Sequence, residues 1–175
     1  MADGIRGNDY LDYPEGIQKG VVLHREIDTF TDSHPIFRQS KHRIQQKYNH
    51  YSGVIIDLYY DHFLAKNWSK YSATPLAEYV SHFYELLQQN QSLLSPRTLK
   101  ICPIMIAQNW LLDYATFEGI SKILVQMDHR TKMKSNMSEA PSELLADYDL
   151  FENEFTLFFD ELILFSDKKK AELYN

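Results

Sequence analysis

Apolar residues recur along this chain in steps of three and four rather than in alternation, and that spacing predicts helices. The first covers residues 14–32, opened by Pro14, a good first-turn residue, and ended by 33–35, because the residue before a proline is pushed out of the α region. A second fits 36–48 and a third 54–68. A fourth opens at Pro75, with Leu76, Val80, Phe83 and Leu87 on one stripe. Pro96 starts a segment to about Trp110 that Pro103 is expected to kink or divide. Residues 115–127 are amphipathic through Phe117, Ile120, Leu124 and Met127, with Gly119 as a weak point or a close-packing site. The last helix runs from about Pro141 to beyond Phe165. Leu144, Tyr148, Phe151, Phe155, Phe158, Leu162 and Phe165 alternate steps of four and three along it, a stripe read as core or helix–helix packing. Val21-Val22 and Val54-Ile55-Ile56 are β-prone but lie inside longer helical stripes. The pattern predicts an all-α fold, a helical bundle of about seven helices in a single domain over residues 1–175.

Two stripes are broken by ionisable residues. Ile17, Val21, His24 and Asp28 stand at i, i+4, i+7 and i+11, and the last two places hold metal-ligand residue types. Val54, Asp57, Leu58, Asp61 and Ala65 repeat the pattern, with His62 about 100° of helix round from Asp61. If the two helices pack together, at least three carboxylates and two imidazoles meet in a partly buried space. Like charges there repel unless protons or a cation neutralise them, so a divalent metal is the economical explanation. Histidine and carboxylate ligands without cysteine suit Mn, Fe, Mg or Zn with open positions, and such a metal polarises phosphoryl oxygens and supplies hydroxide near neutral pH. Arg25 and Arg38 are the guanidinium groups suited to holding two phosphate oxygens at once. Each residue alone also has a structural reading: His24 and Asp28 as an i, i+4 pair, Asp57 at a helix N-terminus, Arg25 in solvent. Two neighbouring helices broken in the same way tilt the balance to a site.

Composition narrows the classes. Hydrophobic residues at 44 % supply a full core, and six Gly with six Pro are too few for many short strands. The single cysteine, Cys102, excludes an internal disulfide and a cysteine-based zinc site, and suits a reducing cytoplasm. No apolar run approaches the ~18 residues that span a bilayer, so a soluble cytoplasmic protein without a membrane partner is expected. The formal charge of −6 argues against nucleic acid. Its distribution is uneven: Arg38, Lys41, Arg43 and Lys47 share a segment without acids, which by itself reads as a solvated helix face.

The phrases Ala2-Asp3-Gly4-Ile5-Arg6-Gly7, Gly20-Val21-Val22-Leu23-His24-Arg25-Glu26-Ile27-Asp28-Thr29-Phe30-Thr31-Asp32 and Asp57-Leu58-Tyr59-Tyr60-Asp61-His62-Phe63-Leu64, followed by Trp68, resemble the bacterial acyl carrier protein phosphodiesterase family. That family is similar to the HD-type metal-dependent phosphohydrolases, so the resemblance implies an HD-domain-like bundle. The likeness covers nearly the whole chain and weakens after Trp110. It implies hydrolysis of the phosphodiester joining 4′-phosphopantetheine to a serine of holo-acyl carrier protein, with Mn as cofactor and Mg or Fe as alternatives. By motif, Asp3, His24, Asp28, Asp61 and His62 correspond to the family's acidic and imidazole positions, and Asp57 fits the same helix. They are expected to bind metal and activate water, with Asp28, Asp61 and His62 as the catalytic group. Acyl carrier proteins are acidic, which gives Lys41, Arg43 and Lys47, with Arg38, a role in docking. The alternatives are an HD-type phosphohydrolase of nucleotides or other small phosphodiesters, and a non-catalytic helical protein that binds acyl carrier protein. Family members usually carry a further N-terminal helical segment, and this chain starts where it would end. An exposed apolar patch, hidden by formation of a homodimer, is therefore expected.

Overall fold

Helix starts follow the proline and hydroxyl punctuation of the chain. The computed structural model describes residues 4–174, which form helices, turns and connections and, among the described residues, no strand. Pro14 stands just before α1 (Glu15–Ser33), and Pro35 is the first residue of α2 (Pro35–Tyr48). A short 3-10 turn leads into α3 (Ser52–Lys66). Pro75 precedes α4 (Leu76–Gln89), and Pro96 opens α5 (Pro96–Ala107), where the Ser95 hydroxyl accepts the Thr98 amide. After α6 (Trp110–Asp113), the Thr116 hydroxyl caps α7 (Phe117–Arg130) by accepting the Gly119 amide. The chain closes with α8 (Ala140–Ala146) and α9 (Tyr148–Tyr174). None of the described helices is long and apolar enough to cross a membrane.

Two breaks fall away from their predicted places. Pro103 lies inside α5 without dividing it; it sits on the exposed side, where water can serve the carbonyl that the ring leaves without an amide. The division comes later, at Asn109, which takes the left-handed conformation (φ 51°, ψ 47°) that asparagine tolerates. The long final helix is also cut, at Asp147, whose backbone (φ −120°, ψ 32°) leaves the α region. Leu144 on one side and Phe151, Phe155 and Phe158 on the other remain buried, so the apolar face continues across the cut.

The core is shared by α2, α3, α7, α8 and α9, with Phe37, Tyr48, Ile55, Tyr59, Phe63, Ile120, Leu124 and Leu144 among its members. Polar ties cross it. Glu154, buried in the phenylalanine face of α9, accepts the Ser40 hydroxyl at 2.5 Å, the Gln39 amide at 2.9 Å and Arg43 at 2.6 Å, fixing α2 on α9. Helix α6 meets α7 so closely that a Cβ built on Gly119 would stand 1.9 Å from the carbonyl oxygen of Asp113. Between α7 and α8, Lys132, Met133 and Asn136 all take positive φ. That loop is organised by Asp128, which is fully covered and accepts hydroxyl hydrogens from Ser135 (2.8 Å) and Ser138 (2.7 Å) and the Ser138 amide (3.2 Å). Burial works to raise its pKa, but these donors outweigh it and hold the carboxyl at about 2.

Candidate active site

Helix α3 is apolar nearly all round, so its stripe alone does not say which side faces the core. In the structure the packed side is Ser52, Ile55, Ile56, Tyr59, His62 and Phe63. Asp57, Tyr60, Asp61 and Leu64 are turned to another side, where α1 and α9 leave an open cavity of about 590 Å³. Helix α1 contributes His24, Asp28 and Asp32 to its wall, each four residues from the next and hence one turn apart. Helix α9 closes the third side with Phe155, Phe158, Phe159 and Leu162. A volume of this size accommodates a small-molecule group or the end of a flexible arm.

The cavity is acidic. Nδ1 of His24 lies 2.8 Å from Oδ2 of Asp28, the i, i+4 pair that the spacing allows. Asp57 and Asp61 are reached by solvent and yet crowded by protein on most sides, because they stand on a concave wall. That crowding, aided by the charges of Asp32 and Asp28 and opposed by Lys41, pushes the Asp57 carboxyl up to about 6. The same burial, with the charge of Asp57, pushes Asp61 up to about 7. Both shifts come first from desolvation, and the neighbouring carboxylates add to it. The donor set, oxygens with one imidazole and no sulfur, fits a hard divalent cation in kind and in charge. Among the described residues no three His, Cys, Asp or Glu side chains converge closely enough to hold one as they stand.

The predicted site residues divide. His24, Asp28, Asp57 and Asp61 line the one cavity. Asp3 lies outside the described residues. His62 does not join them: the turn of 100° that separates it from Asp61 carries it into the core, where it is 1 % exposed. Its Nδ1 donates to the Tyr114 carbonyl at 2.7 Å and its Nε2 accepts the Tyr148 hydroxyl at 2.7 Å, so neither nitrogen is left for a ligand. Burial lowers its pKa, which keeps the ring neutral in this role. Arg25 is drawn away as well, donating to the Ile5 carbonyl at 3.1 Å and lying over the Tyr10 ring. Arg38 is exposed beside the cavity, its Nε on the Asp32 carbonyl at 2.9 Å.

The predicted docking cations divide too. Arg43 is spent on Glu154, and Lys47 bridges Glu139 at 2.9 Å and Glu143 at 2.6 Å, because those acids, distant in sequence, fold onto α2. Lys41 alone of the three is given no ion pair among the described residues, and it faces Asp57 closely enough to lower its pKa. Sequence reasoning missed Asp32, although it continues the His24 and Asp28 spacing by one more turn. It also read Phe155, Phe158 and Phe159 purely as core, since an aromatic stripe carries no sign that one edge borders a cavity.

Comparison with known proteins agrees with the whole-chain character of the pattern. A sequence model described as "Acyl carrier protein phosphodiesterase" matches residues 1–162. A Photorhabdus laumondii protein named acyl carrier protein phosphodiesterase is 27 % identical over 170 residues, covering 97 % of this chain and 86 % of that protein. An Escherichia coli protein of the same name is 26 % identical over 170 residues, covering 97 % of this chain and 88 % of its own. No solved structure matches significantly.

Proposed function

The chain belongs to the acyl carrier protein phosphodiesterase family, and from that premise we propose that its acidic cavity hydrolyses the phosphodiester between 4′-phosphopantetheine and a serine of holo-acyl carrier protein, in the cytoplasm. The observation that carries the reading is the meeting of His24, Asp28, Asp32, Asp57 and Asp61 in one cavity, inside a family match that spans the chain. Water adds to phosphorus, the bond to the serine oxygen breaks, and that oxygen takes up a proton. Apo-carrier and 4′-phosphopantetheine leave.

In this reading His24, Asp28, Asp57 and Asp61 hold a divalent cation, Mn by preference. When bound it supplies Lewis acidity at the phosphoryl oxygens and lowers the pKa of water. Without it, several carboxylates on one wall would repel a phosphodiester, and the raised pKa values of Asp57 and Asp61 express that same crowding. Asp61, which lines the cavity beside the other carboxylates, is the group assigned to take the proton of the attacking water. Phe155, Phe158 and Phe159 exclude bulk water from the opposite side. Arg38 and Lys41 meet the acidic carrier at the cavity edge.

Intact-mass spectrometry of holo-acyl carrier protein incubated with the chain and Mn²⁺, beside an EDTA control, tests the proposal. The expected result is a cation-dependent loss of the phosphopantetheine mass that Asp61→Asn abolishes and Lys41→Glu slows by raising KM. Retention of the full mass at every cation tried would overturn it.

A further inference from the structure

A second, smaller cavity lies beside the acidic one. Asp61 and Leu64 line both, so the two spaces flank the carboxylate assigned to the reacting water. The smaller space is a groove of about 190 Å³ between α3, α4 and α6, walled by Ala65, Trp68, Leu76, Tyr79, Val80 and Leu111. Apart from Asp61 at the junction, its walls are apolar or aromatic. They are also held in place before any ligand arrives. The Trp68 indole donates to the Thr74 carbonyl at 2.8 Å and its ring lies 4.7 Å from that of Tyr79. The Leu111 amide donates to the Tyr84 hydroxyl at 3.1 Å, pinning α6 to α4.

A phosphodiester centred in the acidic cavity has two arms. One is the serine of a folded carrier, whose bulk keeps it at the open mouth. The other is a slender chain of amides ending in a thiol. A space of about 190 Å³ is too small for a folded protein segment and large enough for part of a slender chain, and an apolar lining suits the uncharged end of that chain better than its phosphate. Resting on the function proposed above, we infer that this groove seats the thiol-terminated arm of the substrate, with Tyr79 and Ala65 setting its width.

The test is product inhibition of holo-carrier cleavage, with 4′-phosphopantetheine and inorganic phosphate compared on the same enzyme. Both present a phosphate to the acidic cavity, and only the first has an arm to place. The arm is expected to make 4′-phosphopantetheine the stronger inhibitor by about tenfold or more. Tyr79→Ala, which removes one wall at a half-exposed position, and Ala65→Leu, which fills the floor, are each expected to bring that ratio towards one, with folding checked by circular dichroism. An unchanged ratio in both variants, or no preference in the wild type, overturns the groove while leaving the hydrolase reading intact. A wild type that cleaves a small phosphodiester such as bis(p-nitrophenyl) phosphate but not holo-carrier removes the substrate reading, and the groove's occupant with it.

Discussion

At the scale of single residues, one helical position separates two fates. Asp61 lies on the cavity wall and His62 lies in the core, and their chemistry follows from those surroundings rather than from their adjacency. For Asp61 the linkage sign is definite. Its folded pKa of about 7 exceeds the ordinary aspartate value of 3.8, so the charge costs the folded chain nothing below the lower value and its full amount above the higher one. In chelator-treated protein, the melting temperature of Asp61→Asn is expected to exceed that of the wild type by about a few degrees at pH 8, and the gap is expected to shrink as pH falls through about 7 and to close only below about pH 4. A gap that stays constant with pH would show the carboxyl to be unperturbed. His62→Ala has a different signature. It leaves the Tyr114 carbonyl and Tyr148 hydroxyl without their partner and opens a cavity, at a cost of roughly 2–4 kcal/mol. Calorimetry should record a lower melting temperature with Mn²⁺ affinity close to wild type, whereas a loss of affinity at full stability would return the imidazole to the proposed cation site.

At the scale of elements, most helices were legible because each carries a stripe and an opening signal. Pro14, Pro35, Pro75 and Pro96 all stand within one residue of a helix start, and the carboxylates of α1 and α3 declared themselves by interrupting apolar repeats. What was not legible was orientation. Ile55, Ile56, Leu58, Tyr59, Tyr60 and Phe63 make α3 apolar on several sides, so only tertiary packing decides which side is core. The ion pairs of Arg43 and Lys47 were hidden for a related reason, since their partners lie about a hundred residues away along the chain. Gly119 was legible as either of two things, and the packing of α6 on α7 decides for close approach. Gly119→Ala forces backbone against backbone and is expected to destabilise by at least about 3 kcal/mol, or roughly 6–12 °C in melting temperature. A neutral alanine there would mean that α6 can shift aside freely.

At the scale of the whole molecule, the fold keeps its acidic cavity at the border of the aromatic core, with α9 serving both. The family and the helical class were written across most of the sequence, as the match over residues 1–162 reflects. The irregular path from α7 to α8 was not, because a lone Asp128 at the end of a helix looks like any surface acid. Yet three residues of positive φ and a covered carboxylate make this connection a fixed piece of chain rather than a slack one. Proteases cut where backbone opens locally, and this loop is held closed while Asp128 binds it. Trypsin should therefore spare Lys132 and Lys134, exposed as they are, in the native protein and cleave there early in Asp128→Ala. The carboxylate that shapes the loop thus also governs how long the chain survives intact.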